Sequence, residues 1–252
     1  MARSVSFPSV DYPSADGLPM AESDFQRKPL IYAVDVLGIC FEDRTDVYVS
    51  GNLCIYYEEG NPDAVVVPDV FVVMGAPKRD RPSYMLWQEP KAPDFVLEIT
   101  SRRTRSVDQG PKRGIYAFLG VQEYWQYDPT GDYLEPVLQG FRLIDRNYHP
   151  LPTTYLPHET LSLHSDVLGL DLRLEHGRLS FYDPATGRKL LSHQETEQAW
   201  REAEQARREA EERMQQEVSA RQAAEARIAE LEARLRTLQE ERLSSSSDDT
   251  QR

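Results

Sequence analysis

Apolar positions fall into two regimes along this chain. Up to about residue 192 they come in short dense runs, and beyond 193 they thin to one every three or four positions in a charged background. In the first regime Leu30, Ile31, Val34, Leu37 and Phe41 follow helical spacing and predict a short helix from about Pro29 to Phe41 that packs on a sheet. VYVSGNLCIYYEEGN and AVVVPDVFVVMG follow, dense in Val, Tyr and Ile and broken by Gly-Asn and Gly-Asn-Pro-Asp turn signals, so a β-rich core begins there. DFVLEIT and VQEYWQYD are further strands, separated by a helical segment from about Asp108 to Leu119. In that segment Asp108 can cap the amino end, Pro111 falls in the first turn, and Gly120 can take the left-handed conformation that ends it. Strand, helix and strand with short links predict a crossover within one mixed sheet.

Between 132 and 192 the strings FRLID, LDLRLE and RLSFYD add short strands, a β-rich extension of the same domain. YDPTG at Tyr127–Gly131 returns as YDPATG at Tyr182–Gly187, and both read as strand-ending turns. The resulting organisation is a flexible arm over 1–25, an α/β (α+β) domain over 26–192, a helix over 193–243 and a disordered polar tail over 244–252. The helix has no Gly and no Pro and would run about 75 Å at roughly 1.5 Å per residue. Ile228, Leu231, Leu235 and Leu238 alternate spacings of three and four, and the register continues back through Ala224, Met214, Ala210, Ala203 and Trp200. That is a coiled-coil seam and predicts self-association, although Arg207, Glu217 and Arg221 interrupt it. A solitary charged helix is the competing reading.

Composition narrows the picture. The formal net charge is −13, and residues 193–252 hold 15 acidic and 10 basic side chains, so neither part of the chain is basic and broad attraction to nucleic acid is disfavoured. Two local groups run against this balance: Arg102, Arg103, Arg105, Lys112 and Arg113 facing only Asp108, and Lys78, Arg79 and Arg81 upstream. Either can be a solvated loop or a local anion contact. Cys40 and Cys54 form no spaced cluster, and no run is long enough to be a signal segment or to span a bilayer. A cytoplasmic, reducing location without membrane contact is expected.

The clearest chemistry lies in two carboxylates. Asp69 closes the apolar run AVVV-Pro and Glu98 sits inside FVLEIT, so both lie against a core where a charged carboxylate needs compensation. A divalent cation held between them would supply it. Phosphodiester hydrolysis needs such acidic oxygens together with a cation that orients the attacking water, and Lys112, one turn before Tyr116 on the same helical face, fits the second role. Each residue also has a structural alternative: Asp69 can end a strand, Glu98 can pair with Arg102 or Arg103, and Lys112 can be a solvated helix residue. Tyr116, Tyr124 and Trp125 read as core, while Glu123 alternates with Tyr124 and can approach the same cleft.

In this order, Pro-Asp, then Glu-Ile-Thr-Ser, then Thr-Arg-Ser-Val-Asp-Gln-Gly-Pro-Lys, then Gly-Val-Gln-Glu-Tyr-Trp, the chain resembles the Uma family of restriction-endonuclease-like proteins across roughly residues 29 to 190. The family is assigned to the PD-(D/E)XK nuclease superfamily. The resemblance implies a mixed central sheet flanked by helices, metal ligands at Asp69 and Glu98, and Lys112 as the basic residue. It also implies cleavage of DNA with Mg2+, for which Mn2+ can substitute, and it accommodates a trailing coiled coil. One departure matters: the superfamily places Lys two positions after the second acid, and this chain has Thr100 there. Lys112 replaces it only if the helix brings its ammonium to the same place.

Two functions are therefore expected. The first is a Mg2+-dependent DNA endonuclease in which Asp69 and Glu98 hold the ion, Lys112 orients water, Arg102, Arg103 and Arg105 contact phosphates, and Thr100 binds a water or ligand. The second is a catalytically silent relative that binds nucleic acid or protein and oligomerises through residues 193–243.

Overall fold

The computed structural model describes Tyr12–Pro13 and residues 23–100, 108–157 and 160–248. The chain divides into two compact units, Met1–His193 and Gln194–Arg252.

In the first unit, helix α1 (Asp24–Cys40) precedes strands β1 (Val47–Ser50), β2 (Ile55–Tyr56), β3 (Val65–Val66), β4 (Val70–Met74), β5 (Tyr84–Met85) and β6 (Phe95–Ile99). A π-helical turn (Asp108–Lys112) runs directly into α2 (Arg113–Leu119), and β7 (Glu123–Tyr127) follows. Then come β8 (Leu138–Ile144), β9 (Asn147–Pro150), β10 (Thr154–Leu156), β11 (Thr160–Ser165), β12 (Leu170–Glu175) and β13 (Arg178–Tyr182). The main sheet has six strands in the order β1-β4-β6-β7-β8-β9. Its one parallel pair is β6 with β7, and α2 lies on the connection between them, the crossover expected from the sequence. A four-stranded meander β10-β11-β12-β13 and a small sheet β3-β2-β5 complete the unit. This is the mixed α+β architecture expected for residues 26–192.

Alternation along the strands separates two cores. Val70, Val72, Phe95, Leu97, Ile99, Trp125 and Tyr127 face a cluster that includes Ala33, Val36 and Leu37 of α1 and Leu172 and Phe181 of the meander. Phe71, Val73, Val96 and Tyr124 face the other, with Tyr116 of α2 and Ile55, Val66 and Tyr84 of the small sheet. The second face carries the site.

Several sequence expectations are refined by this packing. α1 begins at Asp24 rather than near Pro29, because Ser23 O already accepts the Gln26 and Arg27 amides and Pro29 is carried inside the helix. The run AVVVPDVFVVM is two strands in two sheets, so Asp69 opens β4 instead of closing a strand. Both YDP strings are turns of the same kind. Asp128 Oδ1 accepts Thr130 N and Oγ1, Asp183 takes Ala185 N and Thr186 Oγ1, and Gly131 and Gly187 sit at positive φ. Lys78, Arg79 and Arg81 do not form a basic patch. Lys78 Nζ donates to Phe41 O and Glu42 O, while both arginines bond Glu89. Glu123 is fully buried on the Trp125 face, away from Glu98, where Trp125 Nε1, Ser165 Oγ and the amides of Asp166 and Val167 bond its carboxylate. Its work is to tie the main sheet to the meander.

The second unit consists of α3 (His193–Asp248), of which it contains all but the first residue. Pairs such as Glu197–Arg201, Glu204–Arg208 and Glu209–Arg213 bridge successive turns, each contributing about 0.3–0.5 kcal/mol in a helix of this kind. Among the described residues no helix is long and apolar enough to cross a membrane.

One backbone contact positions Asp69. The Asn52 amide donates to Pro68 O and Asp69 O, at 3.1 and 3.2 Å, and a Cβ on Gly51 would lie 2.4 Å from Asp69 O. Only glycine lets the β1–β2 corner come this close. Gly51→Ala is expected to cost about 1–3 kcal/mol in urea unfolding through forced displacement of the Asp69 backbone; an unchanged midpoint would show that the corner relaxes freely.

Candidate active site

The register β4 to β6 pairs Val70 with Leu97 and Phe71 with Val96, so continuing it one step sets Asp69 opposite Glu98 on one face. Oδ2 of Asp69 accepts the Ile99 amide at 2.6 Å, which anchors the first acid to the strand that bears the second. Glu98 is fully buried. Its Oε2 accepts Lys112 Nζ at 2.9 Å and its Oε1 accepts Tyr116 Oη at 2.5 Å. Lys112 Nζ also donates to Val67 O at 2.9 Å, just before the Pro68–Asp69 step.

The helix explains how two side chains reach one carboxylate. Lys112 closes the π-helical turn and Tyr116 lies one α-helical turn later, so both project toward β6. Gly120, at φ 79°, caps α2 and sends the chain into β7. π turns of this kind recur at functional positions, where the extra residue re-aims a side chain.

Burial of Glu98 without full compensation shapes its ionisation. Removal from water pushes its pKa up to about 7, the negative charge of Asp69 adds to the rise, and the Lys112 ammonium and Tyr116 hydroxyl hold it down. Tyr116, buried beside this carboxylate, is raised well above 10.0. A cation shared by the two acids would relieve the same tension that raises Glu98.

Thr100 and Gln126 share this face. Thr100 lies two residues beyond Glu98, and Gln126 is the register partner of Glu98 on β7. Both are buried, and Thr100 Oγ1 and Gln126 Nε2 lack a hydrogen-bond partner among the described residues. Native interiors rarely tolerate such atoms without a ligand or water to satisfy them.

This donor set fits a hard divalent cation: carboxylate oxygens, with polar groups beside them and no thiol. Among the described residues no group of three or more His, Cys, Asp or Glu is assembled, so these residues offer two carboxylates, in keeping with an ion that retains waters and substrate oxygens as ligands. The structure thus brings together Asp69, Glu98, Lys112 and Thr100. Arg102, Arg103 and Arg105 lie outside the described residues. Glu98 takes Lys112 and Tyr116 as partners. Sequence reasoning missed two contributors, Tyr116, read as core, and Gln126, whose place depends on the pairing of β7 with β6.

Metal-free protein should report the buried acid through pH. A folded pKa near 7 against an ordinary 4.5 means that the native state holds a proton the unfolded chain has released. The stabilisation is complete below about 4.5 and is lost as pH rises toward 7. Glu98→Gln, neutral throughout, should therefore gain stability relative to wild type across that interval in parallel thermal melts, and a constant difference between the two would exclude the shift.

The family model Uma2, described as "Putative restriction endonuclease", matches residues 20–175. A search of curated proteins finds no match. Among solved structures the chain is similar to the crystal structure of a "putative nuclease belonging to DUF820" from Anabaena variabilis, at 18% identity and a TM-score of 0.40, covering 60% of this chain and 84% of that one.

Proposed function

With residues 20–175 matched, this chain belongs to the Uma2 family, and we propose that it is a Mg2+-dependent endonuclease that hydrolyses DNA phosphodiester bonds, with Mn2+ as a substitute ion. The observation that carries this reading is the convergence of Asp69 and Lys112 on the buried Glu98, with Lys112 Nζ 2.9 Å from its carboxylate. In this reading Asp69 and Glu98 hold the ion, which when bound would polarise the phosphate and favour water as nucleophile. Tyr116 fixes the rotamer of Glu98 through Oε1, and the anchor from Ile99 N fixes Asp69. Glu98 gives up its proton before it can serve as a ligand, so ion affinity rises with pH through about 7. Lys112 orients the attacking water and offsets charge that builds on the phosphate. Arg102, Arg103 and Arg105 are proposed to contact flanking phosphates, and Thr100 to bind a water or the ligand.

A second reading is a catalytically silent binding module of the same fold. Thr100, at the place where the superfamily pattern has lysine, and the net charge of −13 favour it. The two readings part in one experiment. Plasmid and oligonucleotide DNA incubated with Mg2+ or Mn2+ should be cleaved by wild type, with losses of at least about a hundredfold in Asp69→Ala, Glu98→Ala and Lys112→Ala. Cleavage that persists in all three variants would refute the catalytic assignment, and metal binding without cleavage, abolished in the acid variants, would favour the silent module.

Self-association through residues 193–243 is proposed from the seam. Ile228, Leu231 and Leu235 are 57%, 48% and 57% exposed, a spacing of apolar side chains that a second copy of the helix would bury. Deletion of residues 193–252 should convert an oligomer to a monomer in light scattering, and full-length protein already monomeric at micromolar concentration would contradict the seam.

A further inference from the structure

Three buried side-chain polar atoms lack a hydrogen-bond partner among the described residues: Thr100 Oγ1, Gln126 Nε2 and Arg173 Nε. Arg173 still reaches Asp171 through Nη2. The other two stand on the Glu98 face of adjacent strands. Two other buried carboxylates among the described residues of this domain are well provided for. The Glu123 carboxylate receives Trp125, Ser165 and two backbone amides, and that of Asp128 receives Thr130, Tyr133 and Leu134. Two of the three orphaned groups thus stand beside the acid pair, and among the described residues neither has a second polar contact of the kind Arg173 makes; together they point to a ligand, since leaving such a group unsatisfied in the interior is unfavourable.

The chemistry of these atoms says which part of a ligand they meet. Asp69 and Glu98 offer acceptor oxygens, which suit a cation. An amide nitrogen offers hydrogens only, and a cation has no lone pair to accept them. Waters around a cation also turn their hydrogens outward, so Nε2 is poorly matched to them. What suits Gln126 is an anionic oxygen beside the cation, the arrangement presented by a phosphodiester. The backbone holds it there: β7 pairs in parallel with β6, Gln126 is in register with Glu98, and its neighbours Trp125 and Tyr127 pack into the opposite core. Tyr124, two residues back on the same face, meets the Tyr116 ring in a tilted contact, 5.5 Å between centroids, and keeps this stretch of β7 against α2.

We infer that Gln126 is a substrate-binding residue whose side-chain Nε2–H donates to a phosphate oxygen of the nucleic acid bound at Asp69 and Glu98. Thr100 Oγ1 supports the same oxygen or a water next to it. This inference rests on the nuclease reading of the site and assigns it neutral, anion-facing donors on the sheet beside the acids.

Substitutions at 126 should separate cation from anion. Gln126→Glu keeps the shape but turns acceptor oxygens toward the phosphate and a third charge toward the cation. Its Mn2+ affinity, by calorimetry, should equal or exceed that of wild type, while its affinity for a fluorescein-labelled DNA duplex in Ca2+, by anisotropy, should fall about tenfold or more, the loss of one hydrogen bond to a charged group. Gln126→Leu and Gln126→Met, apolar replacements of similar length, should leave Mn2+ affinity within about twofold and also weaken the duplex about tenfold. Neither apolar variant should melt below metal-free wild type, because each removes an unsatisfied donor. A merely structural glutamine would lower the melting temperature and weaken both ligands together, and that result would overturn the inference. Wild-type affinity for the duplex retained in all three variants would overturn it while leaving the nuclease reading intact. Failure of wild type to bind either Mn2+ or the duplex would remove both.

Discussion

The buried carboxylate of Glu98 is the constraint around which this domain is arranged. A charge taken fully out of water is unfavourable by several kcal/mol unless partners surround it. Here the continuous segment from the π turn into α2 supplies those partners, Tyr116 and Lys112, whose ammonium also holds the carbonyl of Val67 next to the first acid, while β4 sets the like-charged Asp69 opposite. The same few contacts therefore fix the relative placement of β3, β4, β6 and α2. Compensation is incomplete, as the rise of Glu98 toward about 7 shows: removal from water drives it, and Asp69 adds to it by opposing the ionised form. A site meant only for stability would gain from an apolar residue at 98. An acid pair that keeps its own pKa high is the kind of strained arrangement found at functional sites, in line with the cation site proposed above.

Much of this could be read from the chain before folding. Dense Val, Ile and Tyr runs marked the strands, and Gly120 marked the end of the helix. The spacing of Lys112 and Tyr116 placed both on one helical face, and both indeed reach Glu98. Pro68–Asp69 and Glu98 stood out because acids inside apolar runs conflict with burial. The rest depended on information that local pattern does not carry. The run through Pro68 is continuous in hydrophobicity, yet its halves join different sheets, a partition set by pairing partners. Lys78, Arg79 and Arg81 look like a patch in a string of residues, but the fold turns them onto two carbonyls and Glu89. Glu123 and Glu98 carry the same side chain on adjacent strands and point to opposite faces, because the register sets Glu123 beside Phe95. Gln126 was invisible for the same reason: its meaning lies in being level with Glu98.

The departure at Thr100 is where sequence and structure together say most. A lysine there would stand on Glu98's own strand, two residues along on the same face. Lys112 delivers its ammonium to Glu98 from the helical segment instead, so the site has two acids and one ammonium, with a neutral residue at the strand position. This arrangement determines what surrounds the carboxylate oxygens. With the positive charge arriving from the π turn, the sheet beside Glu98 carries Thr100 and Gln126, uncharged groups with hydrogens to donate. Under the proposed function, charge on the helical segment and neutral donors on the sheet would give two kinds of anion contact, one long-ranged and one directional. Such a site would orient a phosphate without raising its net positive charge, in a chain whose overall balance is −13.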